Sequence, residues 1–232
     1  MDNIVYKERS MNKLVDIEPQ EELLLKEITA DNLPKKPVYN VVKRVFDIFA
    51  STLALVILSP VMIGTMISIV REDYGPPLYK QERIGKNGKP FMIYKFRSMK
   101  MNADEIKETL VDRSDGQGAN FKMENDPRIT KIGHKLRTSS VDELPQLLNI
   151  IKGEMSIVGP RPFIAEEQAN LPSDRLLVKP GLSCYWQIGG KNKLSLEEQI
   201  KLDRQYLLDR SWGVDIKIIF KTIFHVLKKD NN

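Results

Sequence analysis

Residues 48–70 read IFASTLALVILSPVMIGTMISIV, a run without a single charged side chain. As a straight helix this run would be roughly 35 Å long, enough to cross a bilayer core of about 30 Å. Ser59 and Pro60 lie at its midpoint, where a proline removes one helical hydrogen bond and clashes with the preceding turn. The run therefore predicts a membrane-embedded segment, about residues 41–71. Two interpretations remain: a helix-break-helix that re-enters the same leaflet, or a spanning helix that tolerates its proline.

Basic residues flank the run on both sides. They are Lys35, Lys36, Lys43 and Arg44 before it, and Arg71, Lys80 and Arg83 after it. Because basic residues mark the cytoplasmic side of a membrane segment, this distribution favours the re-entrant course. We therefore expect a membrane protein that enters one leaflet only, with both ends of the segment on the cytoplasmic side.

Composition narrows the classes of partner and cofactor. The chain of 232 residues carries a net charge of +5, which favours an anionic membrane surface, and its dispersed basic residues follow no nucleic-acid recognition pattern. With one cysteine and two isolated histidines, a disulfide and an imidazole-ligated metal site are both disfavoured. A metal, if used, would be a hard cation such as Mg²⁺ on oxygen ligands.

Residues 139–162 read SSVDELPQLLNIIKGEMSIVGPRP and place the carboxylate pair Asp142 and Glu143 near Arg161. The pair precedes an apolar helical pattern, so the positive end of a helix would keep Asp142 ionised as a nucleophile or metal ligand. Arg161 lies between two prolines, and its guanidinium suits phosphate oxygens. A carboxylate near a phosphate-binding arginine indicates phosphoryl chemistry.

The same residues permit a purely structural interpretation. Ser140 followed three residues later by Glu143 is the pattern of a capping box, which stabilises a helix start without any catalytic role. Pro145 is easiest to place in the first helical turn. If the helix begins near Asp142 rather than Ser140, Glu143 is released from capping. The sequence leaves both registers open.

Two further regions contribute candidates. Gly85, Asn87 and Gly88 predict the turn of a short hairpin, with Lys95 and Arg97 at its far end, either functional or simply a solvated strand edge. Near the C-terminus, residues 194–208 and 212–229 predict two helices. The second is amphipathic and lysine-rich, which favours the membrane interface over core packing.

Several motifs in unbroken order over residues 41–227 resemble those of one family. They are KRVFDIFAS, Ser59-Pro60, QERIGKNGKPF, KFRSM, DPRITKIG, SSVDELPQLLNIIKGEMSIVGPRP and KPGLSCYWQ. Together they resemble the bacterial sugar transferases, the small monotopic phosphoglycosyl transferases. The resemblance implies an α+β, mostly helical fold with a re-entrant membrane helix, interfacial amphipathic helices and a small cytosolic active-site region. It places the catalytic domain at residues 38–232, after a polar extension of residues 1–37.

The resemblance also implies roles for individual residues. Asp142 matches the catalytic nucleophile, and Glu143 matches its partner in the dyad. The remaining assignments are Arg161, Lys95, Arg97 and Gln187 for substrate or phosphate binding, Asp142 and Asp215 for the metal, Ser59 and Pro60 for the helix break, and Lys43 and Arg44 for the interface anchor.

The implied reaction moves a sugar 1-phosphate from a UDP-sugar to a membrane polyprenyl phosphate such as undecaprenyl phosphate. It releases UMP, uses Mg²⁺ and passes through a covalent aspartyl phosphosugar, as the first step of capsule, exopolysaccharide or other glycan assembly. Further candidate partners are a second copy of the chain and downstream glycosyltransferases. Two alternatives are a different transferase anchored by a single membrane-spanning helix and a non-enzymatic membrane-anchored scaffold.

Overall fold

The computed structural model describes residues 28–110, 126–188 and 194–228. The helices are α1 Pro37–Glu72, α2 Ala103–Leu110, α3 Lys131–Thr138, α4 Gln146–Lys152, α5 Ala165–Gln168, α6 Tyr185–Ile188, α7 Leu196–Asp209 and α8 Trp212–Lys228. The strands are β1 Leu78–Ile84, β2 Pro90–Phe96, β3 Ser156–Val158 and β4 Gly181–Ser183. The expected α+β, mostly helical class is confirmed. Of the N-terminal extension expected at residues 1–37, residues 1–27 lie outside the described ranges.

Helix α1 is one continuous helix of 36 residues, and Pro60 lies inside it. The interruption predicted at Ser59 and Pro60 is therefore not seen in the helical backbone. Pro60 has no N–H to donate to the carbonyl of Val56 one turn earlier. The hydroxyl of Ser59 donates to that carbonyl oxygen instead, at 2.8 Å. This substitute bond explains how the helix continues through its proline.

Helix α1 has a protein-facing side and an exposed apolar side along most of its length. The protein-facing side carries Asp47, Ser51, Ala54, Leu55, Met62, Met66 and Ile69. The exposed side carries Val45, Phe49, Val56, Val61, Ile63 and Ile67. By length and composition α1 could cross a membrane, and it is the one described helix that could. Its exposed side is therefore the apolar surface that a lipid environment would cover.

The first half of α1 is attached to the folded domain by polar contacts. Arg44 donates to the carbonyl oxygens of Ile150 and Ile151 at 2.6 and 2.8 Å, and so binds the C-terminal turn of α4. Lys43 forms a salt bridge with Asp215 at 2.7 Å. Both side chains therefore bind protein groups, and the role of Lys43 and Arg44 as an anchor at the membrane interface stays a prediction.

The second half of α1 is attached to the same domain. The carboxylate of Glu72 accepts hydrogen bonds from the N–H groups of Lys131 and Ile132 at 2.8 and 2.9 Å, at the N-terminus of α3. Asp73, just beyond the helix, forms a salt bridge with Arg97 at 3.0 Å. Both ends of the apolar helix therefore contact one globular unit.

The predicted hairpin is confirmed. Strands β1 and β2 pair antiparallel from Leu78 opposite Phe96 to Ile84 opposite Pro90. Asn87 and Gly88 in the turn have φ angles of 57° and 74°. Asparagine and glycine are the residues that adopt this left-handed conformation most readily, so local sequence is sufficient to form the turn.

Strands β3 and β4 form a short parallel pair, and β3 leads directly into the GPRP segment, residues 159–162. The N–H of Gly181 donates to the carbonyl of Pro160 at 2.9 Å. A Cβ at Gly159 would lie 2.4 Å from the carbonyl oxygen of Lys179, so this close approach requires glycine. The backbone leading into Arg161 is thereby held against β4.

The two predicted C-terminal helices are confirmed as α7 and α8. Helix α8 packs Ile218, which is fully buried, and Ile219 against the core, while Ile216, Phe220, Ile223 and Phe224 are exposed. Core packing and an exposed apolar stripe therefore coexist on one helix. The core-packing interpretation describes the buried face of α8, and the exposed apolar stripe is the face that the membrane-interface interpretation would place against lipid.

Candidate active site

The carboxylate pair lies in a 3₁₀ turn, Val141–Glu143, and not in the first turn of an α-helix. Ser140 before it has a φ of 55° and makes no side-chain capping bond, while α4 begins at Gln146 with Pro145 as its N-cap. The capping-box interpretation is therefore wrong. Val141 and Leu144 pack in the core cluster around Phe96, which fixes the turn against β2.

Asp142 is the buried member of the pair, with 9% of its surface exposed. Its carboxylate accepts no hydrogen bond from any described residue. Burial, together with the charge of Glu143, raises the pKa of Asp142 to about 6, although Lys95, Arg137 and Arg161 oppose the rise. The expectation that a helix terminus would stabilise the ionised form is corrected, since desolvation dominates here. At neutral pH the carboxylate is still mostly ionised.

Glu143 faces two cationic side chains. Lys95 Nζ lies 2.9 Å from Oε1 of Glu143, and Arg161 Nη1 lies 3.6 Å from the same oxygen. Lys95 reaches this point from the end of β2, whose backbone is fixed by a hydrogen bond from Tyr94 N–H to Asn149 Oδ1 at 3.0 Å. The structure thus brings together four of the residues named from sequence, from three separate segments of the chain.

Arg161 is held by its backbone and keeps its side chain partly exposed, at 33%. Nη2 of Arg175 donates to the carbonyl oxygen of Arg161 at 2.7 Å, and Arg175 is itself paired with the buried Asp203 at 2.8 Å. The guanidinium of Arg161 lies 5.8 Å from the ring centre of Trp186. A fixed backbone and a partly open guanidinium suit a group that binds an incoming anion.

Arg137 completes the positive surroundings of Asp142, and sequence reasoning missed it. Its side chain is exposed at the surface and donates to Ser98 Oγ at 2.9 Å, while its charge interacts with the carboxylate of Asp142. Its position five residues before Asp142, at the end of a basic helix, was the signal that could have identified it.

Arg97 does not belong to this cluster. It is buried and binds Asp73 through the side-chain carboxylate and through the main-chain carbonyl. Side chains alternate between the two faces of a strand. Lys95 and Arg97 are two positions apart, so they would lie on the same face if strand β2 continued through both. Strand β2 ends at Phe96, which releases Arg97 to turn towards the end of α1. The assignment of Arg97 to substrate binding is therefore corrected to a structural role.

Gln187 lies in α6 beside Trp186, the residue that faces Arg161. Gln187 Oε1 and Trp186 Nε1 are buried and have no hydrogen-bond partner among the described residues. A buried amide oxygen and indole N–H without partners are costly unless a ligand or water satisfies them. Their position next to Arg161 agrees with the substrate-binding role predicted for Gln187, which stays a prediction.

Asp215 is not positioned as a metal ligand. Its Oδ2 is bound by Lys43 at 2.7 Å and by Tyr39 at 2.8 Å, and its Oδ1 accepts a hydrogen bond from Tyr206 at 3.0 Å. Within the described ranges, no three His, Cys, Asp or Glu side chains form a cluster that could hold a metal. Asp215 thus joins α8 to α1 and α7, and its assignment to the metal is corrected.

Comparison with known proteins assigns the chain to a family. Residues 38–229 match the model described as bacterial sugar transferase. The chain is 42% identical over 195 residues to the undecaprenyl-phosphate galactose phosphotransferase of Salmonella typhimurium, covering 81% of this chain and 41% of that protein. It is 40% identical over 195 residues to the exopolysaccharide production protein ExoY of Rhizobium meliloti, covering 81% of this chain and 86% of that protein.

A third relative is the UDP-glucose:undecaprenyl-phosphate glucose-1-phosphate transferase of Escherichia coli, 36% identical over 202 residues, with 82% of this chain and 41% of that protein covered. The chain thus spans about two fifths of the Salmonella and Escherichia proteins and most of ExoY. With its ordered motifs, its dyad turn and a family match that covers most of its length, this chain belongs to the bacterial sugar transferase family.

Proposed function

We propose that the protein transfers a sugar 1-phosphate from a UDP-sugar to a membrane polyprenyl phosphate, at the cytoplasmic face of the bacterial membrane. The observation that carries the proposal is the carboxylate of Asp142, buried, free of hydrogen bonds to described residues and surrounded by the cations Lys95, Arg137 and Arg161. The names of the relatives supply the substrate classes, UDP-sugar and undecaprenyl phosphate. The name of ExoY also suggests a place in exopolysaccharide production.

In the first half-reaction, a carboxylate oxygen of Asp142 attacks the β-phosphorus of the UDP-sugar. The bond from that phosphorus to the oxygen bridging the two phosphates breaks, and UMP leaves with the bridging oxygen. A carboxylate without hydrogen bonds is a better nucleophile than one already engaged. Arg161 is placed to neutralise charge on the phosphoryl oxygens as the leaving group departs.

In the second half-reaction, an oxygen of the polyprenyl phosphate attacks the phosphorus of the aspartyl phosphosugar. The acyl phosphate bond breaks, which regenerates the Asp142 carboxylate and forms the polyprenyl diphosphate sugar. The acceptor is held in the membrane by its tail, so attachment of the domain to an apolar helix places the two reactants together and reduces the entropic barrier.

Magnesium fits this site only if protein and substrate bind it together. Asp142 is the one dyad carboxylate with no hydrogen bond to a described residue, whereas Glu143 already faces Lys95 and Arg161. Mg²⁺ is commonly bound by one or two carboxylates together with substrate phosphates. Bound by Asp142 and the diphosphate, it would supply charge neutralisation for the departing UMP.

We also propose that α1 enters and leaves the same leaflet, with the helix bending at Pro60 while remaining helical on both sides of it. The support is that Arg44 near its start and Glu72 at its end both bind the same folded domain. A helix that crossed the bilayer would place those two residues on opposite faces, and one of these attachments would then have to break. The exposed apolar side of α1 faces the lipid in this arrangement.

The proposal is tested by measuring UMP release from a panel of UDP-sugars, with and without polyprenyl phosphate, by the full-length protein in lipid nanodiscs. We expect one UDP-sugar to give sustained turnover only with acceptor, and a single equivalent of UMP and a radiolabelled protein without it. Asp142→Asn should abolish both the labelling and turnover, and EDTA should abolish turnover until Mg²⁺ is restored.

Three results would contradict the proposal in different parts. Near-normal turnover by folded Asp142→Asn would exclude the covalent intermediate from the mechanism. Full activity in EDTA would exclude a role for the metal. Absence of UMP release from every UDP-sugar would instead favour the membrane scaffold.

A further inference from the structure

A second site is suggested by a cavity of about 230 Å³ between the first half of α1, the hairpin turn and the segment before β4. Its lining includes Tyr39, Lys43, Arg44, Asp47, Lys86 and Lys179. None of the residues around Asp142 belongs to this lining. The cavity adjoins the start of α1, whereas the dyad turn packs in the cluster that includes Met66 and Ile69 near the end of that helix.

More cationic than acidic side chains line this cavity. A Cβ at Gly153 would lie 3.2 Å from Nη2 of Arg44 and 3.4 Å from Nζ of Lys179, so these two cations are close neighbours. The side chains of Lys86 and Lys179 form no ion pair or hydrogen bond with any described residue. Like charges brought together in a partly buried place repel one another unless an anion lies between them.

The acidic groups nearby do not remove this excess charge. Asp215 is already paired with Lys43. Asp47 is the one acidic side chain in the lining, and its Oδ1 accepts a hydrogen bond from the N–H of Ile157 at 3.1 Å. Burial and the charge of Arg44 lower the pKa of Lys179, and the charge of Asp47, which acts in the opposite direction, offsets only part of this effect.

Apolar surface next to the cavity indicates what kind of anion would bind. The same two turns of α1 that line the cavity also present Val38, Val41 and Val45, each more than 60% exposed, on their other side. An anion carried on a hydrocarbon chain could place its charge in the cavity and its chain along this surface. A small soluble anion would use only the charged half of the site.

We infer that this cavity binds the phosphate group of an anionic membrane phospholipid. Arg44, Lys86 and Lys179 supply the positive charge, and the apolar side of α1 receives an acyl chain. One bound lipid would then join α1, the hairpin turn and the segment before β4 at the membrane surface. The inference does not depend on the chemistry of Asp142, because its test needs no sugar nucleotide.

The test is native mass spectrometry of the full-length protein, released from detergent with added phosphatidylglycerol. We expect one phosphatidylglycerol per protein in the wild type, and retention at least about tenfold weaker in Lys86→Ala/Lys179→Ala. The matched control is Lys80→Ala/Lys89→Ala, which removes the same amount of charge at two exposed hairpin lysines outside the cavity and should retain the lipid.

Three outcomes would overturn the inference. Equal loss of lipid in both double variants would mean that diffuse surface charge holds it. No stoichiometric lipid on the wild type would remove the site. Complete displacement of the lipid by millimolar inorganic phosphate, with equally tight binding of phosphate alone, would assign the cavity to a free anion. Lys86→Ala alone, an exposed change in a turn, keeps the test valid if the double variant fails to fold.

Discussion

Lys95 Nζ and Glu143 Oε1 lie 2.9 Å apart, so a residue at the end of the hairpin is paired with the carboxylate next to Asp142. Forty-eight positions separate the two residues in sequence. The negative charge of Glu143 helps to raise the pKa of Asp142. Lys95 acts in the opposite direction, because its own positive charge lowers the same pKa.

We predict that the first half-reaction loses rate as the pH falls through about 6. Asp142 must be ionised to attack, and burial raises its pKa to about 6. Single-turnover UMP release, measured from pH 5 to pH 8 without acceptor, should fall about tenfold for each unit below the pKa. A rate that stays constant down to pH 5 would contradict this assignment.

Ionisation of Asp142, which the reaction needs, should lower the stability of the folded protein. The folded-state pKa of Asp142 is raised above its unfolded value, so its contribution to the free energy of unfolding is most favourable below about pH 4 and is lost as the pH rises through about 6. Asp142→Asn should therefore be more stable than wild type at pH 7.5, by roughly 1 to 3 kcal/mol. Thermal unfolding at pH 4.5 and 7.5 measures the difference, and a destabilised variant at pH 7.5 would show that the buried charge is not a cost.

Lys95→Met should move the acid limb of the UMP-release profile to higher pH. Of the three cations that lower the pKa of Asp142, Lys95 has the largest effect, so removing its ammonium should raise that pKa by about half a unit to one unit. Lys152→Met is the control, since Lys152 is exposed and contacts Tyr94 rather than the dyad. An unchanged limb with a uniformly lower rate would instead assign Lys95 to substrate binding alone.

Arg161→Lys should reduce UMP release by about 100-fold, mainly in kcat, if the planar guanidinium neutralises the phosphoryl oxygens. An ammonium keeps the charge but not the two-pronged geometry. The exposed Arg71→Lys at the end of α1 is the control for the same chemical change. Loss of less than about threefold in Arg161→Lys would show that charge alone is sufficient.

Asp215→Asn should lower stability without changing the demand for metal. Lys43 would lose its counter-charge in a buried place, which costs about 2–4 kcal/mol of unfolding free energy. Adding Lys43→Met should recover part of that loss. The Mg²⁺ concentration that gives half-maximal UMP release should stay the same, and a tenfold increase would restore Asp215 as a metal ligand.

Cysteines placed at Lys35 and Lys80, both exposed, should react with an impermeant thiol reagent from the same side of the membrane. The reason is that the segments on either side of α1 bind one domain. Cys184 is buried and gives little background. Labelling of the two positions from opposite faces of sealed vesicles would exclude the re-entrant course.

Local sequence was sufficient for several elements. The apolar run predicts α1, the Gly85–Gly88 region predicts the hairpin turn, and the two C-terminal helices were predicted within two residues of their bounds. Each of these depends on patterns that repeat over a few residues, such as turn residues or helical periodicity. The same kind of pattern misjudged Pro60, because the hydroxyl of Ser59 replaces the missing hydrogen bond.

The sequence by itself determined the apolar helix, the family motifs and the candidate dyad, because those features are read from neighbouring residues. Only the tertiary structure decided which charges meet. Lys43 and Asp215 are 172 positions apart, and Arg97 turns to Asp73 instead of joining Lys95. The raised pKa of Asp142 has the same origin, since burial depends on the packing of distant segments around a turn, and no local pattern contains that information.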